Sequence, residues 1–186
     1  MNPFFSDEEK QYLLQIARNK IEGCFFPEKI HEIRSGFERL DKILAGAFVS
    51  VYIAGELRGC IGSFSEDEPV IKVIRKMAVQ AVSHDYRFEP VSVRELEQLG
   101  IEISVLTPRK KISSLNELVT GRDGIYIIKG FNRGTLLPQV AAENGWDAET
   151  FVSYCSMYKA GIGRDGWRQA ELYTYEAIVF RDFIKK

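Results

Sequence analysis

Two long segments of the chain repeat apolar side chains at helical spacing. The first begins at Ser6, where a Ser-x-x-Glu pattern with Glu9 predicts a capping box, and it ends near Gly23. The second covers residues 68–83, with Pro69 in its first turn and a wide apolar face along its length. Because such a face needs an apolar partner, we expect this second helix to pack on a sheet.

Shorter helical signals are spread over the rest of the chain. Residues 147–159 predict a helix with an aspartate cap, and residues 139–144 predict a shorter one. Two further Ser-x-x-Glu patterns, at Ser92 and Ser114, predict short helical turns. We interpret residues 27–46 as an irregular or partly helical connection, because charged residues separate its apolar positions.

Runs rich in β-branched and aromatic residues predict five or six strands. These runs cover residues 47–53, 56–61, 101–106, 124–129, 134–137 and 171–180. The first two runs flank Ala54-Gly55 and the fourth and fifth flank the turn at 130–133, so each pair predicts a β-hairpin. Because strands and helices do not alternate as in βαβ units, we expect an α+β fold with helices flanking an antiparallel or mixed sheet.

The whole chain, residues 1–186, is predicted to form one domain. Its length allows a sizeable core, and no linker rich in Pro, Gly or Ser divides it. Two closely associated lobes fit the same length, so a bilobed domain stays open as an alternative.

Charge and composition narrow the classes of function. Lys and Arg total 25 against 26 Asp and Glu, a balance that makes nucleic-acid binding unfavourable and gives no basis for attraction to anionic membranes. The first residues lack the features of a secretory signal, and no apolar run is long enough to span a membrane, so we expect a soluble cytoplasmic protein. Three cysteines without Cys-x-x-Cys spacing and two histidines predict no disulfide framework, no intrinsic metal and no cofactor.

The segment LRGCIGSF, residues 57–64, carries the clearest candidate for chemistry. In an extended strand, Arg58 and Cys60 share one face, whereas Leu57 and Ile61 are expected to face the core. A thiol is reactive where a cation, a helix N-terminus or a histidine stabilises its thiolate. Arg58 is such a cation, so the segment predicts a candidate nucleophile at Cys60.

The hypothesis that Cys60 is a nucleophile involves four further residues: two glycines near the thiol and two polar residues farther along the chain. Gly59 and Gly62 remove side-chain bulk, which allows another group to approach Cys60 closely. His84 and Asp85 end the second long helix, so a Cys-His-Asp arrangement is geometrically conceivable.

Structural interpretations stand beside each of these hypotheses. Cys60 is equally a small buried hydrophobe, and His84 suits the C-terminus of a helix through the macrodipole. Asp85 and Arg87 equally form a local turn with an ion pair, and Arg58 equally forms a salt bridge on its strand.

Two other cysteines and one arginine are further candidates. Cys24 and Cys155 each lie on the apolar face of a predicted helix, so we expect both to be buried and inert. Arg122 lies in a glycine-bounded turn, where a structural role is the default and capture of phosphate or carboxylate is the alternative.

A series of short motifs makes the chain resemble a known family. In order, they are LRGCIGSF, HDYRFEPV, ISVLTP, GRDGI, RGTLLPQV, NGW and KAGI. Their order and approximate spacing resemble those of the AMMECR domain family, named after a human protein from a chromosomal region deleted in Alport syndrome with midface hypoplasia and elliptocytosis. The resemblance covers about residues 13–180, and the LRGCIG string is its most specific part.

The resemblance implies a fold and a site but no reaction. The implied fold is α+β, with two lobes and the LRGCIG segment lining a cleft between them. The family pattern matches Leu57, Arg58, Gly59, Cys60, Ile61, Gly62, Asp85, Arg87, Phe88, Gly134, Leu137, Pro138 and Gln139. Some microbial members look linked to Memo-type and radical SAM proteins, so a partner of that kind, or an unknown small molecule, is implied.

One departure from the family pattern bears on the site. Many members have proline where this chain has Tyr86, and His84 does not belong to the pattern. By this resemblance, a catalytic Cys60 would depend on Arg58, Asp85 or Arg87, and Gln139 would donate a hydrogen bond.

We therefore expect an enzyme or small-ligand-handling protein whose cleft is centred on Arg58 and Cys60. The expected ligand-binding residues are Gly59, Gly62, Arg87, Arg122 and Gln139. The alternative is a non-catalytic protein-interaction module that uses the same groove.

Overall fold

The computed structural model describes residues 4–29 and 36–182. Part of the connection expected to be irregular, residues 30–35, lies outside these ranges. The chain forms two compact units. The first contains the residues up to Leu106 together with those from Ile178 onward, and the second is Thr107–Ala177.

The structure consists of four α-helices and seven strands within the described ranges. The helices are α1 (Asp7–Phe25), α2 (Val70–Ser83), α3 (Pro138–Asn144) and α4 (Ala148–Tyr154). The strands are β1 (Ala47–Ile53), β2 (Glu56–Ser63), β3 (Leu99–Leu106), β4 (Lys110–Ile112), β5 (Asp123–Lys129), β6 (Asn132–Leu136) and β7 (Glu171–Asp182). Short 3-10 turns cover Pro27–Lys29, Glu38–Lys42, Val93–Gln98, Leu115–Glu117 and Gly166–Gln169.

The first unit is a sheet with helices packed on one face. Its strand order is β2-β1-β3-β7, and β1 pairs antiparallel with both β2 and β3. Val49 and Val51 on β1 and Ile101 and Ile103 on β3 are fully buried in a core that also includes the apolar residues of α1 and α2. The apolar face predicted for the second helix therefore packs on the sheet, as expected.

The capping boxes expected from the sequence are all present. At the start of α1, the Glu9 backbone N–H donates to Ser6 Oγ at 3.2 Å, and the Ser6 N–H donates to Glu9 Oε2 at 2.8 Å. At Ser92 and Ser114 the serine N–H likewise donates to the glutamate three residues later, at 2.7 Å and 3.2 Å, and Ser114 Oγ accepts from the Asn116 N–H at 3.2 Å. These bonds satisfy backbone donors that a helix start leaves open, and they fix where each turn begins.

A β-bulge in β2 changes the expected arrangement of side chains. Val51 pairs with Gly59 but Tyr52 pairs with Leu57, so Arg58 is the extra residue. Leu57 therefore lies on the same face as Tyr52 and is 39% exposed. The expectation that Leu57 faces the core was wrong, because simple alternation does not hold across a bulge. Ile61, beyond the bulge, does pack against the core.

The second unit has its own core and contains the other strands of the sheet. Its strand order is β7-β5-β6, with β4 also pairing with β7, and these pairings are antiparallel. The core is formed by Ile125 and Ile127 of β5 together with Phe151, Cys155 and Trp167. β4, with only three residues, was not predicted.

Two helices of this unit differ from their predicted bounds. Pro138 begins α3, so it starts a helix as well as closing the preceding strand. The helix expected over 147–159 has its cap at Asp147 but is α-helical only as far as Tyr154, after which Cys155–Lys159 form a π-helical turn.

The fold class is α+β, as expected, with helices flanking an antiparallel sheet. Cys155 is fully buried, and burial raises the pKa of its thiol to about 12. Cys24, in contrast, is exposed at the end of α1, and its thiol donates to the carbonyl oxygen of Lys20 at 3.3 Å. The expectation that Cys24 is buried was wrong, because Ile21 and Phe25 pack on the core at this end of α1 and Cys24 lies outside that contact. No helix within the described ranges is long and apolar enough to cross a membrane.

Candidate functional site

Cys60 belongs to a row of three reactive side-chain types across the sheet of the first unit. It pairs with Ser50 on β1, and Ser50 pairs with Glu102 on β3. Directly paired residues of antiparallel strands share a face of the sheet, so the thiol, the hydroxyl and the carboxylate project on the same side. With strands about 4.8 Å apart, Cys60 and Glu102 are separated by about 10 Å at their Cα atoms.

This row lies on the face opposite to the helices. The neighbours of Ser50 on β1, Val49 and Val51, point into the core beneath α2, so Ser50 points away from it. Cys60 is half-buried, and the side chain of Glu102 is only 13% exposed. The row is thus partly shielded from water, which strengthens the electrostatic interactions between its groups.

Glu102 has two polar neighbours on this face. The Tyr52 hydroxyl donates to Glu102 Oε1 at 3.5 Å, and Arg181 Nη2 lies 2.7 Å from Glu102 Oε2. The pKa of Tyr52 is raised, first by burial and then by the negative charge of Glu102. The carboxylate is therefore held in place by a cation on one side and a phenol on the other.

The backbone of Cys60 is held by the loop that follows α2. β2 is the first strand in the sheet order, so the backbone groups of Cys60 point outward from the edge of the sheet. Its N–H donates to Asp85 Oδ2 at 2.8 Å, and its carbonyl oxygen accepts from Arg87 Nη2 at 3.0 Å. Asp85 and Arg87 thus take the place of a neighbouring strand at this residue.

An ion pair joins these two loop residues. Arg87 Nε donates to Asp85 Oδ1 at 2.9 Å and Arg87 Nη2 to Asp85 Oδ2 at 2.7 Å. The pKa of the Asp85 carboxyl is held well below its usual range, chiefly by the Arg87 guanidinium and also by the Cys60 N–H. The pKa of Arg87 is raised, mainly by Asp85 and in smaller part by negative charge on Cys60. The Arg87 guanidinium thus bridges the Asp85 carboxylate and the Cys60 carbonyl oxygen.

Arg58 is bound within the protein rather than directed at the thiol. Its Nε donates to Glu95 Oε1 at 2.8 Å, and its other nitrogens donate to the carbonyl oxygens of Glu89 and Pro90. These contacts fasten the bulge of β2 to the chain that follows α2.

His84 is exposed at the end of α2, with Ser83 Oγ 2.6 Å from its Nδ1. Within the described ranges, neither His84 nor Asp85 has a hydrogen bond to the Cys60 thiol. Asp85 instead bonds the backbone of Cys60. The conceivable Cys-His-Asp arrangement is therefore not assembled in this structure.

The two glycines of the segment make room for protein atoms. A Cβ at Gly59 would lie 2.1 Å from the carbonyl oxygen of Ala81 on α2. A Cβ at Gly62 would lie 2.2 Å from the ring of Phe48, which packs edge-on against Phe64 at 4.9 Å between centroids. Close packing on α2 and under Phe48 explains these glycines without any ligand.

The remaining expected residues belong to the second unit. Arg122 bonds the buried carboxylate of Asp123 at 2.7 Å and lies 3.7 Å from Glu176. These contacts match the structural interpretation of its turn. Gln139 is in the first turn of α3, and its buried Oε1 has no hydrogen-bond partner among residues 4–29 and 36–182.

Sequence reasoning missed four residues of the site: Ser50, Tyr52, Glu102 and Arg181. Their positions across three other strands depend on strand pairing, which no local pattern specifies. One signal was present, since Glu102 is a charged residue within the apolar run of β3. No group of three or more His, Cys, Asp or Glu side chains suited to a metal occurs in the part of the chain that the structure describes.

Fold and site together define an α+β protein that presents a thiol, a hydroxyl and a carboxylate on one face of an antiparallel sheet. The AMMECR1 family matches residues 14–180, and the chain belongs to this family. The resemblance noted in the sequence is therefore confirmed.

Relatives with this fold are found among the archaea. The chain is 37% identical to Protein MK0488 of Methanopyrus kandleri over 186 residues, covering 94% of this chain and 89% of that protein. It is 34% identical to Protein MJ0810 of Methanocaldococcus jannaschii over 185 residues, covering 94% and 90%. The crystal structure of the uncharacterized protein PH0010 from Pyrococcus horikoshii matches with a TM-score of 0.81 and 32% identity, covering 96% of this chain and 93% of that one.

Proposed function

We propose that this protein is an enzyme or small-ligand-handling protein in which the Cys60 thiol is the reactive group. The observation that carries the proposal is the row of Cys60, Ser50 and Glu102 across three strands. In this proposal a small ligand reaches the half-buried Cys60 on the face of the sheet that also carries Ser50 and Glu102. The Cys60 sulfur adds to an electrophilic carbon of a C=C or C=O bond of the ligand, and the thiol proton ends on the atom at the other end of that bond, so no group leaves. Glu102 accepts a hydrogen bond from the ligand.

The loop after α2 supports a nucleophilic role for Cys60. Asp85 and Arg87 hold both backbone groups of this residue, which fixes the backbone position from which the thiol projects. The positive charge of Arg87 lowers the cost of forming a thiolate. In this proposal Arg87 positions Cys60 and places a positive charge near it. Arg58 affects Cys60 indirectly, because it holds the bulge of β2 in place.

Mass spectrometry of the intact protein tests this proposal. Freshly purified protein, before and after incubation with a metabolite extract, is compared with Cys60→Ser and with the matched control Cys24→Ser. We expect a covalent adduct, mapped by peptide analysis to Cys60, on the wild type and on Cys24→Ser but not on Cys60→Ser. Adducts of equal yield on the Cys60→Ser variant, or none on any of the three proteins, would contradict it.

The second candidate is a protein-interaction module, and one observation favours it. Tyr86, between the two residues that hold Cys60, is 93% exposed. A large aromatic side chain at the tip of a fixed loop is typical of an anchor residue in an interface. The partner proposed from the family resemblance is a Memo-type or radical SAM protein.

Binding to a purified Memo-type protein separates the two candidates. An interaction module predicts that Tyr86→Ala weakens binding about tenfold or more while Cys60→Ser leaves it unchanged. If neither wild type nor Cys60→Ser binds the Memo-type protein, this candidate fails for that partner.

A further inference from the structure

A pocket lies on the surface of the second unit, along α4 and the π-helical turn. Its lining residues are Thr150, Ser153, Tyr154, Met157, Tyr158 and Arg164, and its volume is about 170 Å³. That volume is similar to the roughly 150 Å³ of an engineered cavity that holds one benzene molecule. The pocket is therefore large enough for one six-membered ring.

Aromatic side chains form one side of this pocket. The rings of Tyr154 and Tyr158, one helical turn apart, are 4.6 Å from each other, and the ring of Trp146 is 4.6 Å from that of Tyr154. Tyr158 is 62% exposed and Met157 is 46% exposed, although both are large apolar side chains. Tyrosine and methionine provide a flat and adaptable surface for a planar ligand.

An arginine guanidinium, that of Arg164, lies at the same pocket. The nearby carboxylates of Glu149 and Asp165 are 2.6 Å and 3.5 Å from Arg168, which neutralises them. Arg164 itself has no ion pair or hydrogen bond through its side chain within the described residues. A planar guanidinium binds a carboxylate through two parallel hydrogen bonds.

The loop that carries Arg164 is fixed to the helix. The Ser156 hydroxyl donates to the carbonyl oxygen of Gly163, and the Ile162 N–H donates to the carbonyl oxygen of Ser156 at 3.0 Å. Gly161 and Gly163 adopt positive φ values of 66° and 82°, which the tight loop requires. The guanidinium is therefore attached to a defined backbone position beside the pocket.

A buried hydroxyl supplies a second polar group. Ser153 is only 6% exposed, and its Oγ accepts a hydrogen bond from the Trp167 indole N–H at 3.1 Å. The Ser153 O–H donates to no other group within residues 4–29 and 36–182. The hydroxyl thus lines the pocket with a donor available for an anionic oxygen.

We propose that this pocket binds a small carboxylate that carries a six-membered ring. The ring packs on Tyr154 and Tyr158, and the carboxylate accepts hydrogen bonds from Arg164 and from the hydroxyl of Ser153. Because no residue of the Cys60 row takes part, this site stands or falls independently of the function proposed above.

Phenylacetate is the probe that tests this site on the full chain, with binding measured by isothermal titration calorimetry. Acetate lacks the ring and phenylacetamide lacks the charge, so each removes one part of the proposed recognition. We expect phenylacetate to bind about tenfold or more tightly than either compound. Equal affinities for all three, or no saturable binding of phenylacetate, would overturn the proposal.

Two variants that each remove one arginine charge show where phenylacetate binds. Arg164→Gln removes the guanidinium of the pocket, and the control Arg133→Gln removes an exposed guanidinium from β6 of the same unit. We expect Arg164→Gln to weaken phenylacetate binding about tenfold or more and Arg133→Gln to leave it unchanged. Unchanged binding by a folded Arg164→Gln variant would overturn the assignment.

Discussion

A single residue, Asp85, connects the loop after α2 to the edge of the sheet. Its buried carboxylate accepts hydrogen bonds from the Cys60 N–H and from the Arg87 guanidinium. A buried carboxylate is stable as an anion only with such partners. The position of Cys60 therefore depends on an ionised Asp85.

Asp85→Asn tests this dependence. The amide keeps the shape of the carboxylate but loses its charge, so the charged hydrogen bonds with Arg87 are weakened. We expect the free energy of unfolding at pH 7 to fall by about 2–3 kcal/mol, measured by urea denaturation. A loss of less than about 0.5 kcal/mol would indicate that the ion pair contributes little.

The same variant gives a pH dependence of known sign. The pKa of Asp85 is lower in the folded protein than in the unfolded chain, so its contribution is complete above about pH 4 and is lost as the pH falls toward the folded value. Between pH 7 and pH 3 we expect the stability difference between wild type and Asp85→Asn to shrink by about 1 kcal/mol. A difference that stays constant over this range would contradict the assignment.

The sequence identified only part of the site at this scale. Cys60 was identified because its glycine neighbours and the family motif are local features. Ser50 and Glu102 were missed because they meet Cys60 only through strand pairing. Arg58 was expected to stabilise the thiolate, but the bulge and Glu95 determine where its guanidinium lies, and neither is visible in one strand.

Gly59 shows how an element depends on one residue. β2 approaches α2 so closely that a Cβ at this position would lie 2.1 Å from the Ala81 carbonyl oxygen. This oxygen belongs to the backbone, so it cannot relieve the clash by a side-chain rotation. The sheet and the helix are close at this point because glycine has no side chain.

Gly59→Ala is therefore expected to destabilise the protein by about 2–3 kcal/mol, because it forces β2 and α2 apart. Gly36→Ala is the matched control, since no atom of the described residues lies within 4 Å of a Cβ at that position. We expect the control to change stability by less than about 0.5 kcal/mol in the same denaturation experiment. Similar losses for the two variants would mean that the contact with Ala81 is not what matters.

Elements that depend on local chemistry were predicted well. The capping boxes at Ser6, Ser92 and Ser114 begin the turns that the sequence indicated. β4 was missed because three residues are too few to show alternation. The π-helical turn after Tyr154 was missed because the return of the chain through two glycines with positive φ, rather than local propensity, determines it.

At the scale of the whole molecule, each unit has a separate hydrophobic core. β7 contributes its residues up to Ala177 to the second unit and those from Ile178 to the first. Phe180 in its last part is buried in the first core, against the ring of Phe5 at 6.3 Å. The two ends of the described chain thus complete the same core.

Phe180→Ala tests the role of the last strand. We expect a loss of about 3–5 kcal/mol, because the substitution leaves a cavity in the first core. Phe131→Ala, in the fully exposed turn between β5 and β6, is the control and should cost less than about 0.5 kcal/mol. Hydrogen exchange should show the loss of protection first in residues 4–106 and 178–182. Protection lost first in 107–177 would contradict the division of the cores.

The fold class was predictable from the order of helices and strands, because each predicted hairpin and helix exists. The sequence left two alternatives open, one undivided domain or two closely associated lobes. The division into two units could not be decided from the sequence, since no linker marks the change at Thr107 and one strand serves both units. Long-range pairing of β7 decides this organisation, and pairing of that kind leaves no local pattern.

The rate at which Cys60 is alkylated, as a function of pH from about 6 to 9, tests the central claim most directly. Iodoacetamide labelling is followed peptide by peptide in the folded protein and in a synthetic peptide of residues 56–64, which has the same local sequence without the fold. We expect Cys60 in the folded protein to react about tenfold or more faster near pH 7 than the peptide thiol. A rate equal to that of the peptide, or complete protection of Cys60, would contradict the claim that this thiol is the reactive group.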